Sequence, residues 1–198
     1  DLIVIGGGIS GLFSALSYIK KKPNARVVIL ERDIFPNGAS TKNAGFACFG
    51  SVSELVEDSK KMSSISLLNL VEKRIKGLEL LKKTISVQKL DLKNYGGYEL
   101  FFSEKENLES SIDRCNKLLF SIYNKNIFSL KNNKIESLGL SKKRVKQLIF
   151  NPFEAQINTG TTIYELQKLA SQKGIKIISG ANVENFDLNT SNHKIHVL

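Results

Sequence analysis

The first 31 residues, DLIVIGGGISGLFSALSYIKKKPNARVVILE, set an apolar run, a glycine-rich turn, an amphipathic stretch and a second apolar run that ends on an acid. Leu2, Ile3, Val4 and Ile5 suit a parallel strand buried on both faces. Gly6, Gly8 and Gly11 follow in GxGxxG spacing. The first permits a tight turn, the second lets backbone approach a pyrophosphate, and the third lets the next helix pack closely on the strand. Ile9, Leu12, Phe13, Leu16 and Ile19 then line one helix face, and Arg26 to Leu30 supply a second strand. A GxGxxG alone is weak evidence, but strand, turn, helix and strand in this order describe a cradle for a dinucleotide. The helix N-terminus offers free N–H groups and the positive end of its dipole to the phosphates. Glu31 arrives 20 residues after Gly11, where a carboxylate accepts hydrogen bonds from ribose hydroxyls and repels a 2′-phosphate. FAD or NAD is therefore expected in preference to NADP.

The chain has 198 residues, 41% of them hydrophobic, which is enough for a real core and for one or two domains. It starts directly on a strand without a methionine and stops inside another, so a longer protein is expected. No signal peptide and no apolar run of bilayer length is visible. Two separated cysteines, Cys48 and Cys115, form no CxxC pair, so neither a metal site nor a disulfide framework is indicated and a reducing compartment fits. The expected location is the cytoplasm, with peripheral attachment to a membrane left open. Lys and Arg exceed Asp and Glu by 29 to 19, a net charge of +10. Lys60, Lys73, Lys82 and Lys117 are spread over polar helix faces rather than gathered in a basic arm, so nucleic acid is disfavoured as a partner.

Beyond Glu31 the segment from Arg32 to Gly50 has no period and holds the punctuators Pro36, Asn37, Gly38, Gly45 and Gly50. Ser51 with Glu54 forms a capping box for a helix running to about Lys61. Leu67, Val71, Ile75, Leu78, Leu81 and Ile85 predict a long second helix. Tyr95 to Phe102 reads as a turn entering a strand, and Leu108, Ile112, Cys115, Leu119 and Ile122 mark another helix. Short elements are expected near Ile135 and from Val145 to Phe150. A helix from Thr161 to Lys173 stops at Gly174 and leads into a strand at Ile175 to Ile178. The segments 182–188 and 194–198 flank Asn189 to Asn192 as an antiparallel hairpin.

Gly38-Ala39-Ser40-Thr41-Lys42-Asn43-Ala44-Gly45-Phe46 resembles the second flavin-contacting segment of the D-amino-acid oxidase family of FAD-dependent oxidoreductases. That family includes glycine, sarcosine and glutamylputrescine oxidases and D-amino-acid dehydrogenases. Phe153 to Gly160, the helix after it, Gly174, a strand and Val183 are similar to the stretch by which that family returns from its substrate domain to its nucleotide sheet. The resemblance implies an α/β fold, a Rossmann-type, GR2-like FAD-binding domain made of residues 1–94 and 152–198, with residues 95–151 as part of an α+β substrate domain. It implies FAD contacts from Gly6, Gly8, Ile9, Ser10 and Gly11, from Glu31 and Arg32, from Ser40, Thr41, Lys42, Asn43, Ala44, Gly45 and Phe46, and from the backbone of Val183. Lysine stands at position 42 where members often carry arginine, and it cannot reproduce a bidentate guanidinium contact. Most substrate-carboxylate ligands of the family are expected beyond Leu198.

The implied reaction is oxidation of an amine or amino acid by hydride transfer to the flavin, giving an imine that hydrolyses, with oxygen or a respiratory carrier as electron acceptor. The catalytic residues are not identified by this sequence. An NAD-dependent dehydrogenase explains the glycines and Glu31 but not the loop after them. A non-catalytic or RNA-modification-associated FAD domain has only the basic charge in its favour. His193 and His196 read as solvated strand residues, Cys48 and Cys115 as small core residues, and Tyr98 and Tyr123 as packed aromatics.

Overall fold

The computed structural model describes residues 1–187 and 194–197. The turn expected at Asn189 to Asn192 and the reading of His193 lie outside the described residues. The chain forms two compact units, one of residues 1–45, 85–91 and 158–198, the other of residues 46–84 and 92–157. These bodies divide at other points than the functional boundaries expected at 94/95 and 151/152.

The first unit is built on a three-stranded parallel sheet of β1 (Leu2–Ile5), β2 (Val27–Glu31) and β8 (Lys176–Ser179), with β2 in the middle. Register pairs Ile5 with Leu30 and Leu30 with Ile178, so the carboxyl ends of the strands line up. Helix α1 (Ile9–Lys21) follows β1, and α5 (Thr159–Gln172) precedes β8. Leu12, Ala15, Ile29, Leu166 and Ala170 are fully buried between helices and sheet. Each large apolar side chain so buried contributes about 1.5–3 kcal/mol against leaving it in water. The sequence pattern places α1 correctly but misses Ala15, whose small side chain belongs to the buried stripe.

One expectation fails on β1. The run Leu2 to Ile5 suits burial on both faces, yet Ile3 and Ile5 are 48% and 53% exposed. Val4 points to the helix side, its Cγ1 close to Gly11, and its odd-numbered neighbours point to the other face. Among the described residues β1 is an edge strand and the helices cover one face of the sheet, and Ile178 on the other face is likewise 48% exposed. The hairpin of β9 (Val183–Asp187) and β10 (Lys194–Val197) is antiparallel, as expected, and His196 lies on it exposed.

The second unit packs α2 (Val52–Ser59), α3 (Ser64–Thr84) and α4 (Leu108–Tyr123) around Phe49, Leu55, Leu67, Val71, Leu119 and Ile149. An antiparallel sheet of β4 (Gly97–Phe101), β6 (Gln147–Asn151) and β5 (Ser129–Leu130) closes this core. A two-residue pair, β3 (Phe46–Ala47) with β7 (Ala155–Gln156), was not legible in the pattern. Asn116 and Asn151 are the buried polar side chains among the described residues of this unit, and Asn116 is the one bonded to backbone on three sides. Its Oδ1 accepts from the N–H groups of Ile127 and Phe128, and its Nδ2 donates to the Phe128 carbonyl, each at 2.9 Å. Those three bonds replace the water the side chain gives up, and they fix the turn after α4.

Candidate functional site

The glycine turn of the first unit is held in place by a buried acid. Glu31, 8% exposed at the end of β2, accepts from the Gly7 N–H at 2.6 Å and from the Asp33 N–H at 3.2 Å. A carboxylate has about four acceptor positions, so two backbone bonds leave capacity for further donors. Gly6 sits at φ +97°, a conformation that a side chain would strain. A Cβ on Gly11 would run into the Gly6 carbonyl oxygen, so helix and turn touch backbone to backbone.

Helix α1 begins at Gly8 with no side-chain cap and no acidic residue in its first turn. The cap comes instead from the loop 31 residues away, where Ser40 Oγ accepts from the Ile9 N–H at 3.0 Å. That bond brings the glycine turn and the loop that starts at Gly38-Ala39-Ser40 onto one cavity of about 360 Å³. Gly6, Gly8, Glu31, Arg32, Ser40 and Val183, all expected from the sequence, line it. A Cβ on Gly8 would stand 2.9 Å from Ser40 Oγ, so glycine is required there for the loop to dock as well as for a phosphate to approach. The segment after β8 is tied to the same place by the Ala181 N–H donating to the Glu31 carbonyl at 2.9 Å, which sets Val183 at the cavity.

The other expected residues hold the loop or stand apart from the lining. Thr41 donates its hydroxyl to the Pro36 carbonyl at 2.9 Å, and its own carbonyl accepts from the Thr159 hydroxyl at 3.2 Å. Asn43 donates to the Ala39 and Ser40 carbonyls and accepts from the Gly45 N–H, closing the loop on itself. Ile9, Ser10, Gly11, Ala44 and Gly45 are not among the lining residues, Lys42 is exposed, and Phe46 stands 67% exposed in the second unit. Sequence reasoning missed Ile5, Leu30, Asp33, Pro36, Ala181 and Asn182 as lining residues. Ile5 and Leu30 lie at the ends of strands already singled out, and Asp33 follows two residues after Glu31 in the bend beyond β2.

In the second unit, Ser51 caps α2 by accepting from the Glu54 N–H at 3.3 Å, the serine half of the expected capping box, while the Glu54 carboxylate pairs with Arg74 at 2.8 Å rather than with the Ser51 N–H. Glu99 of β4 completes that helix end, accepting from the Ser51 hydroxyl and from the N–H groups of Val52 and Ser53. Glu154 accepts from Asn151 Nδ2 at 3.2 Å, and burial, then Glu99 and Glu54, raise its carboxyl above the ordinary range. Cys48 is half-buried rather than core, and burial followed by Glu154 and Glu54 raises its thiol. A thiol held protonated in this way is a poor nucleophile. Cys115 is buried as expected, its thiol pushed up to about 11 by burial. Tyr98 packs on Phe150 with ring centroids 4.8 Å apart while staying 37% exposed, and Tyr123 packs on Phe49 and Phe153, burial taking its hydroxyl up to about 12. Among the described residues no group of three or more His, Cys, Asp and Glu is placed to hold a metal, and no helix is long and apolar enough to cross a membrane.

The first unit's cavity therefore fits a dinucleotide: a helix end without its own anion, a glycine floor, a hydroxyl at the rim and a buried carboxylate with spare acceptor capacity. Solved structures agree on the fold. Glycine oxidase from Geobacillus kaustophilus superposes with a TM-score of 0.70 at 20% identity, over 100% of this chain and 51% of that one. Iminodiacetate oxidase from Chelativorans sp. BNC1 gives 0.71 at 17%, over 100% and 51%. L-α-glycerophosphate oxidase from Mycoplasma pneumoniae, with FAD bound, gives 0.65 at 16%, over 100% and 49%. The chain thus spans about half the length of these proteins. No curated protein matches it in sequence. The model of the DAO family, FAD dependent oxidoreductase, matches residues 1–197. With that match over nearly its whole length, the chain belongs to the DAO family of FAD-dependent oxidoreductases, whose cofactor is FAD.

Proposed function

We propose that this chain carries the cofactor-binding part of an enzyme that oxidises an amine or an amino acid, giving an imine that water hydrolyses. The observation that supports it most is the single cavity lined by Gly6, Gly8, Glu31, Ser40 and Val183. Bound FAD supplies the hydride acceptor for a carbon bearing an amine. Glu31 accepts from the ribose hydroxyls while its Gly7 bond keeps the glycine turn in register. The free N–H groups at the start of α1 face the pyrophosphate, together with Ser40, whose oxygen already accepts from Ile9 and whose proton is left to donate. Arg32 adds positive charge at the rim, and Val183 presents backbone to the adenine. Thr41 and Asn43 act through the loop they close, holding Lys42, Ala44 and Gly45 in the order that meets the flavin side of the cofactor. The substrate-side role stays with residues 95–151. No acid–base pair is required of this chain, because the cofactor carries the redox chemistry.

A hydroxyl-bearing substrate is the second reading, since one fold neighbour is a glycerophosphate oxidase. The full-length protein, purified with its flavin and kept anaerobic, separates the two when challenged with a panel of amines, amino acids and α-hydroxy or glycerol phosphates. Bleaching of the flavin band by amines supports the proposal, and recovery of the band on readmitting air marks oxygen as acceptor. Bleaching by hydroxyl compounds alone, or by nothing in the panel, overturns it.

A further inference from the structure

A second cavity, of about 310 Å³, lies in the other unit where α2, α3 and α4 meet. Its volume is at the lower end of the range of small-molecule sites, roughly 300–1,000 Å³. Leu55 and Leu67, each 1% exposed, and Cys115, 3% exposed, form its floor, with Leu118 on one wall. Arg114 and Lys117, three residues apart on α4 and both exposed, stand at its rim, and no acidic residue lines it. Neither cation makes an ion pair with a described residue.

We propose that this cavity is a binding site for a small amphipathic carboxylate, its hydrocarbon body on Leu55, Leu67 and Leu118 and its charge between Arg114 and Lys117. The floor selects hydrocarbon because it offers a polar ligand almost nothing: two leucines and a thiol. Burial keeps the Cys115 thiol neutral across the physiological range, its pKa near 11. The rim selects an anion. A neutral apolar ligand would cover part of the hydration of two cations and return no charge to them, whereas a carboxylate compensates both. The rim hydroxyls add discrimination, since Ser59 spends its proton on the Val56 carbonyl and Ser64 keeps its own to donate. This cavity shares no lining residue with the first unit's cavity, and the family resemblance names no cofactor contact among its residues.

Isothermal titration of the full-length flavoprotein with sodium octanoate tests the assignment, with octan-1-ol as the uncharged comparison and the Arg114→Glu/Lys117→Glu variant as the control of site. We expect saturable binding of octanoate, weaker binding of the alcohol, and an affinity at least about tenfold lower in the charge-reversed variant, roughly 1.4 kcal/mol of lost attraction. Both replaced side chains are exposed, so the variant should keep its melting temperature and flavin spectrum. The proposal is overturned if octanoate does not saturate, if the alcohol binds equally well, or if charge reversal leaves the affinity unchanged. Binding registered only as a perturbed flavin spectrum also overturns it.

Discussion

Helices α1 and α2 face the same electrostatic problem, unpaired N–H groups and a positive dipole end, and meet it in opposite ways. At α2 the answer is internal: Ser51 takes the Glu54 N–H, and the Glu99 carboxylate takes those of Val52 and Ser53. At α1 the start is a glycine, the first turn holds no acid, and the one side-chain bond comes from the neutral hydroxyl of Ser40. A helix end that brings its own anion is a structural joint. One that is capped only by a neutral group and opens on a cavity is ready for an external anion, which on the proposed function is the cofactor pyrophosphate. Two helix ends of one chain thus separate a ligand site from a packing device without reference to motif.

The comparison can be broken most severely at Gly11. Its replacement by alanine drives a methyl into the Gly6 carbonyl, so flavin retention after gel filtration should fall to nothing and the first unit should lose thermal stability. Near-normal flavin content in Gly11→Ala would show that the turn is placed wrongly. Glu99→Ala addresses the closed helix end, where three donors lose a charged acceptor at a partly exposed site. Urea unfolding should register a loss of about 1–2 kcal/mol while flavin content stays at the wild-type level. Paired serine substitutions sharpen the contrast further. Ser51→Ala should cost stability of about 0.5–2 kcal/mol and leave FAD affinity alone, whereas Ser40→Ala should lower both, since its hydroxyl caps α1 and faces the cavity.

The smallest effect concerns pH. Glu154 is raised by burial and by its acidic neighbours, so its folded pKa lies above the unfolded one. The favourable contribution of its neutral form is full below the unfolded pKa and is lost as pH rises through the folded value. Glu154→Gln, neutral throughout, should match wild type in acid and exceed it in stability towards neutral and alkaline pH, as denaturant midpoints at several pH values will show. A variant that loses stability equally at all pH values would mean that the Asn151 contact outweighs the cost of burying the charge.

Local signals carried much of this structure. The first strand, turn and helix, the acid at position 31, the Ser51 cap and the helices near Leu67, Leu108 and Thr161 follow from period and punctuation, because each is decided by residues within a few turns of one another. What escaped was decided by partners distant in sequence. Ser40 reaches across 31 residues to cap α1, Glu99 reaches across 47 to cap α2, and Asn116 clamps a turn 11 residues on, none of which leaves a periodic trace. The β3–β7 pair is two residues long on each side, too short for any alternation. The exposure of Ile3 and Ile5 was misread because composition reports that a strand is apolar and not which of its faces a neighbour covers.

Titration of the full-length apoprotein with FAD, followed by flavin fluorescence, puts the central claim to its most direct test when wild type is compared with Gly8→Val. Wild type should saturate at one FAD per chain. The variant, its far-UV circular dichroism unchanged, should show no saturable binding, because the valine displaces Ser40 and fills the approach to the start of α1. Equal affinity in the two proteins would contradict the account, since the cofactor would then be held somewhere other than the open end of that helix.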